Sequence, residues 1–127
     1  MRLTLSEQGG ADVDTVWQRY ARPVLWSAWA PQIRSVETEP ELRAGIRGKV
    51  RPVAGPAVRF VVTAVDHEAR TWSWRVQAGP FRLRLDHAVD RCGPSGTATR
   101  LTVTGPAPVV LAYAPLARRA LRRLVRR

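Results

Sequence analysis

The chain has two histidines and one cysteine in 127 residues. His87 stands in Phe81-Arg-Leu-Arg-Leu-Asp-His-Ala-Val-Asp90, where strict alternation places it with Phe81, Leu83, Leu85 and Val89 on one apolar side. A histidine there could move a proton on a bound carbonyl or enolate. Equally, it could be a buried imidazole satisfied by a neighbouring hydroxyl or carbonyl. Asp86 and Asp90 lie on the opposite side of the same run and are poor partners for it, so no catalytic residue is assigned. His87 and Tyr113 are the two weak candidates for a polar role. His67, between Asp66 and Glu68, reads as a solvated turn residue. Two distant histidines and the lone Cys92 make neither a metal site nor a disulfide. No Ser-His-Asp arrangement or glycine-rich phosphate loop is present, and no cofactor is expected.

Aromatic chemistry is better supplied. Of five tryptophans, Trp72 and Trp74 stand two apart and share a face, where they could stack a planar molecule. Trp17 and Trp29 read as core packing beneath them. Tyr113 lies on the apolar arc of the last amphipathic segment and could bring a hydroxyl to the same space.

These residues need elements to hold them. Arg2 to Gln8 alternates and predicts a first strand, broken by Gly9-Gly10. Asp12 can cap a helix reaching about Arg22, with Val13, Val16, Trp17 and Tyr20 at helical spacing. Pro23 to Trp29 predicts a second short helix ended by Pro31. The period then changes to two over Ile33–Glu39, Ile46–Val53, Val58–Val65, Arg70–Gln77, Phe81–Asp90 and Thr97–Thr104. Short connections predict antiparallel pairing with one wet and one dry face. The wet face is basic, the dry face aromatic. Pro108 to Arg127 is the one remaining segment long enough to cover the dry face. Its Val110, Tyr113, Ala117, Leu121 and Leu124 fall on one arc, and Arg118, Arg119, Arg122, Arg123, Arg126 and Arg127 fall on the other. Pro115 inside it predicts a kink or restart near Leu111–Pro115.

The length suits one domain over residues 1–127. The start, Met1-Arg-Leu-Thr-Leu-Ser-Glu, lacks the apolar run of a secretory signal. The longest uncharged stretch, Leu101–Ala117, contains three prolines and predicts no transmembrane segment. With one cysteine, a cytoplasmic setting fits. Net charge is +11, concentrated after residue 45. Twenty arginines against one lysine read as compositional bias before they read as nucleic-acid function, so no specific nucleic-acid partner is expected. The terminal arginines could give weak, salt-sensitive contact with anionic surfaces.

In the order Val16-Trp17, Trp29-Ala-Pro31-Gln-Ile33-Arg-Ser-Val36-Glu37, Leu42-Arg-Ala-Gly45, Val65-Asp66, Trp72-Ser-Trp74, His87 and Gly96-Thr97-Ala-Thr99, the chain resembles the START-like helix-grip (SRPBCC) superfamily in its polyketide cyclase/dehydratase-like branch. The resemblance covers essentially the whole chain. It implies an α+β fold in which a curved antiparallel sheet of about seven strands wraps a long C-terminal helix, with two short helices after the first strand and a deep apolar cavity. It does not imply one activity. The reading is binding of a hydrophobic or aromatic small molecule, lipid- or polyketide-like. The lining expected from the dry face is Trp29, Phe60, Val62, Trp72, Trp74, Leu83, Leu85, His87, Leu101, Val103, Tyr113 and Ala117. An aromatase/cyclase-type enzyme is the alternative, and a polyanion-binding module is a third reading.

Overall fold

A computed structural model describes residues 1–127. Strand β1 (Arg2–Gly9) leads into α1 (Val13–Ala21), a 3-10 turn (Pro23–Leu25) and α2 (Trp26–Trp29). Six strands follow: β2 (Ile33–Glu37), β3 (Arg47–Pro52), β4 (Val58–Asp66), β5 (Thr71–Ala78), β6 (Phe81–Cys92) and β7 (Gly96–Thr104). Helix α3 (Ala107–Leu124) closes the order. All seven strands form one antiparallel sheet, β1-β7-β6-β5-β4-β3-β2. This is the expected helix-grip architecture.

Local chemistry explains the element ends. Asp12 caps α1 by accepting from Thr15 N at 2.7 Å, which holds its carboxyl below the usual range. The alternation on β4 is interrupted between Val62 and Ala64 by a register shift. The extra residue leaves Ala64 exposed and returns Val65 to the side of its partner Trp72. Strict alternation from Val62 would have sent Val65 to the solvent.

Helix α3 continues through Pro115 instead of restarting. Proline withholds the N–H that would reach the carbonyl of Leu111, but both residues are exposed, so water can take that carbonyl. The helix also begins at Ala107 and ends at Leu124, inside the expected Arg127. Its C-terminus is held down by several groups. Ala11 N donates to Val125 O at 3.0 Å, and Arg19 donates to Leu124 O at 2.6 Å and to Arg126 O at 2.7 Å. These bonds satisfy carbonyls that a helix end otherwise leaves unpaired. Gly9 permits the approach, since a Cβ there would collide with the Val125 carbonyl.

A second departure shapes the interior. Helix α3 does not cover the dry face alone. It lies along β1 and β7, while Tyr20 of α1 and Trp26 of α2 press onto the aromatic part of β4–β6. Trp26 stacks on Trp72 (centroids 5.6 Å, 22° between planes) and meets Trp74 edge-on at 5.1 Å. Tyr20 meets Trp72 at 5.4 Å and His87 at 5.2 Å. The core is one continuous apolar cluster in which Tyr20, Trp26, Leu85, Leu121 and Leu124 are fully buried.

Candidate functional site

Where the two helix layers and the sheet meet, a pocket of about 40 Å³ remains. Trp72, Trp74, His87 and Leu101 come from the sheet, Tyr20, Trp26 and Trp29 from the short helices, Gln32 and Ile33 from the entry to β2, and Tyr113, Ala117 and Leu121 from α3. A single water takes roughly 30 Å³ of liquid, and a dry cavity that accepts benzene is about 150 Å³. The deep apolar cavity implied by the resemblance is therefore closed down to the scale of a water, because Tyr20 and Trp26 fill it.

The pocket is apolar in composition but not in its hydrogen-bonding state. Tyr20 Oη, Trp72 Nε1, Trp74 Nε1 and Gln32 Oε1 are buried without a hydrogen-bond partner, and all four residues border this pocket. Each unpaired buried group costs about 1–3 kcal/mol. A polar atom within reach of these groups would recover part of that cost. The other indoles are satisfied: Trp26 Nε1 donates to Tyr20 O at 2.8 Å, Trp29 Nε1 to Arg19 O at 3.0 Å, and Trp17 Nε1 to His67 Nδ1 at 3.2 Å.

His87 lies flat on Trp72, with centroids 3.9 Å apart and 4° between planes. Its Nδ1 pairs with Trp72 O at 3.0 Å, so the tautomer carrying the proton on Nδ1 satisfies that carbonyl. Burial drives its pKa down to about 3, against the smaller opposing pull of the Trp72 carbonyl and Asp86. The imidazole is neutral at physiological pH. Burial raises the phenols of Tyr20 and Tyr113, and the Gln32 side chain partly offsets this at Tyr113. Asp86 faces outward, bonded to Ser73 and Arg84.

Of the expected lining residues, Trp29, Trp72, Trp74, His87, Leu101, Tyr113 and Ala117 border the pocket. Phe60, Val62, Leu83, Leu85 and Val103 do not. Phe60 packs on Trp74 at 4.8 Å and on Trp26 at 5.9 Å, Val62, Leu85 and Val103 are buried within the core, and Leu83 is half-buried against it. Sequence reasoning missed Tyr20, Trp26, Ala30, Gln32, Ile33, Ala120 and Leu121. Tyr20 was visible on the apolar face of α1, but periodicity does not say onto which strand that face docks. His67 is exposed, as expected, and also serves as the acceptor for Trp17.

Among the C-terminal arginines, Arg122 pairs with Glu7 at 2.6 Å and Arg127 donates to Gly10 O at 3.2 Å. Glu39 pairs with Arg43 and Glu37 with Arg51. Cys92 is a free, half-buried thiol. No helix is long and apolar enough to cross a membrane.

The family model described as polyketide cyclase / dehydrase and lipid transport matches residues 2–127. No curated protein sequence matches the chain. Among solved structures, a protein from Nitrosospira multiformis superposes with a TM-score of 0.83 at 16% identity, over 98% of this chain and 94% of that one. The di-domain ARO/CYC BexL of the BE-7585A biosynthetic pathway gives 0.83 at 16% identity, over 98% of this chain and 45% of that one. Ara h 8.0201 gives 0.79 at 14% identity, over 98% and 94%. Likeness at such identities concerns the fold.

Proposed function

The chain belongs to the polyketide cyclase / dehydrase and lipid transport family, and from that premise we propose that it binds a flat, largely apolar small molecule bearing one carbonyl or hydroxyl group. The observation that carries this reading is the set of unpaired groups at the pocket, Tyr20 Oη, Trp72 Nε1, Trp74 Nε1 and Gln32 Oε1. A ligand oxygen accepting from the indoles and the phenol would recover what their isolation costs, while its rings occupied space now taken by Trp26 and Trp29. Because only about 40 Å³ is open, binding requires displacement of the short helix α2. Its four residues carry both the buried Trp26, which fills the pocket, and the half-buried Trp29, so its movement clears the most space at the cost of that packing. The setting we infer is cytoplasmic, with Cys92 reduced.

A matched pair of neutral probes tests this. Fluorenone and fluorene share a shape and differ by a carbonyl. Calorimetric titration should show fluorenone binding more tightly. Trp74→Phe keeps a ring but removes the N–H, and should weaken fluorenone by about fivefold while sparing fluorene. Arg84→Ala on the outer face should change neither. Equal affinities for the two probes, or none above background, would refute the reading.

Catalysis of polyketide cyclisation is the second reading, favoured by the presence of both His87 and Tyr113 at the pocket. An imidazole with a pKa near 3 is a poor general base at neutral pH, however. This places binding ahead of catalysis.

A further inference from the structure

The two ends of the sheet differ in kind. One end holds the β3–β4 and β5–β6 turns, the β7–α3 link and the entry to β2, as the pairs Ile33↔Pro52 and Ala78↔Phe81 establish. Of the six exposed large apolar side chains, Val53 (65% exposed) and Phe81 (50%) sit on its two turns, and Leu111 (56%) is one helical turn into α3. The opposite end carries no large exposed apolar residue. Its turns and the start of α1 mix both signs: Asp12, Asp66 and Glu68 are exposed, Asp14 pairs with Arg70 at 3.0 Å, and Arg126 and Arg127 lie against α1 and Gly10.

A cluster of cations accompanies the apolar side chains. Next to the apolar end, two rows of cations cross the outer face of the sheet. Lys49 stands directly opposite Arg59, Arg82 continues that row beyond Gln77, and Arg75 stands opposite Arg84, with Arg47 beyond Val61. These side chains border a trough of about 840 Å³ whose floor is the sheet. Like charges directly opposite each other in a sheet are destabilising. Arg84 pairs with Asp86 at 3.3 Å and Lys49 stands opposite Glu37, a carboxylate engaged by Arg51, while Arg47, Arg59, Arg75 and Arg82 have no acidic partner. An arrangement that raises the energy of the isolated protein is relieved by an anionic partner.

We propose that this end docks on an anionic phospholipid bilayer, Val53 and Phe81 entering the interface while Lys49, Arg59, Arg82 and their neighbours meet headgroup phosphates and carboxylates. The combination of apolar turn tips and adjacent unpaired cations matches the layering of a bilayer surface, apolar below and anionic above. A nucleic-acid strand fits less well. The tryptophans all point inward, leaving the outer face of the sheet with no aromatic ring on which a base could stack. The docking does not depend on whether the interior takes a ligand.

Flotation with vesicles of pure phosphatidylcholine and of phosphatidylcholine with 30% phosphatidylserine decides it. Binding should be confined to the anionic vesicles and should fall as salt rises. The triple variant Lys49→Ser/Arg59→Ser/Arg82→Ser should lose roughly a hundredfold in partitioning, and should melt no lower than the parent because it removes like-charge neighbours. Val53→Ser/Phe81→Ser should lose on the order of tenfold. Arg118→Ser/Arg119→Ser/Arg126→Ser, on α3 and just after it, should bind within about twofold of the parent. Equal binding to neutral vesicles, a loss confined to the α3 variant, or competition by duplex DNA that the Val53/Phe81 variant leaves unaltered would each overturn the proposal.

Discussion

His87 illustrates how one side chain can be informative in sequence and still change meaning in place. Alternation put it on the dry face, and it is there. What alternation could not convey is the indole stacked flat against it and the Trp72 carbonyl at its Nδ1. The consequence concerns pH. The folded protein holds this imidazole neutral down to about pH 3, whereas the unfolded chain protonates it near 6.5. Between those values the unfolded state binds more protons, so stability is complete above about pH 6.5 and declines as pH falls. At pH 4.5 the loss from this group should be on the order of 2–3 kcal/mol. Denaturant melts at pH 7.5 and 4.5 check it: His87→Phe, which keeps a ring to stack on Trp72, should lose less on acidification by about that amount. Parallel losses in parent and variant would show that another group controls the acid limb.

At the scale of elements, the strands were readable because each buries one face, and a period of two records that directly. The β4 register shift was not readable, since nothing in Val62-Thr-Ala-Val65 distinguishes a shifted strand from a regular one. Nor was the plug. Trp26 belongs to a four-residue helix, too short for periodicity to assign a face, so the residue that most restricts the pocket left no pattern. Trp26→Ala should cost about 3–5 kcal/mol of stability, yet it should raise affinity for a neutral apolar probe such as fluorene by clearing the space. A variant that is destabilised without binding better would show that α2 is only packing. For α3 the expected outcome is simpler. Leu121 is 2% exposed, and Leu121→Asp should cost roughly 3–5 kcal/mol. Thermal melting at the parental temperature would contradict the packing described.

Across the whole molecule, the closure of the fold joins its first strand to its last helix. Glu7 pairs with Arg122 across 115 residues of chain, Gly9 makes room for Val125, and Ala11 and Arg19 cap the end of α3. During synthesis β1 and α1 emerge early, with neither β7 to pair with nor α3 to cap. At about 5–20 residues per second, they wait on the order of ten seconds for their partners. In that interval β1 is an open strand edge and α1 shows a bare apolar face, the kinds of surface that chaperones and neighbouring nascent chains recognise. Folding of this domain thus waits on α3, and what shields β1 and α1 until that helix arrives governs how much of the chain reaches the closed fold.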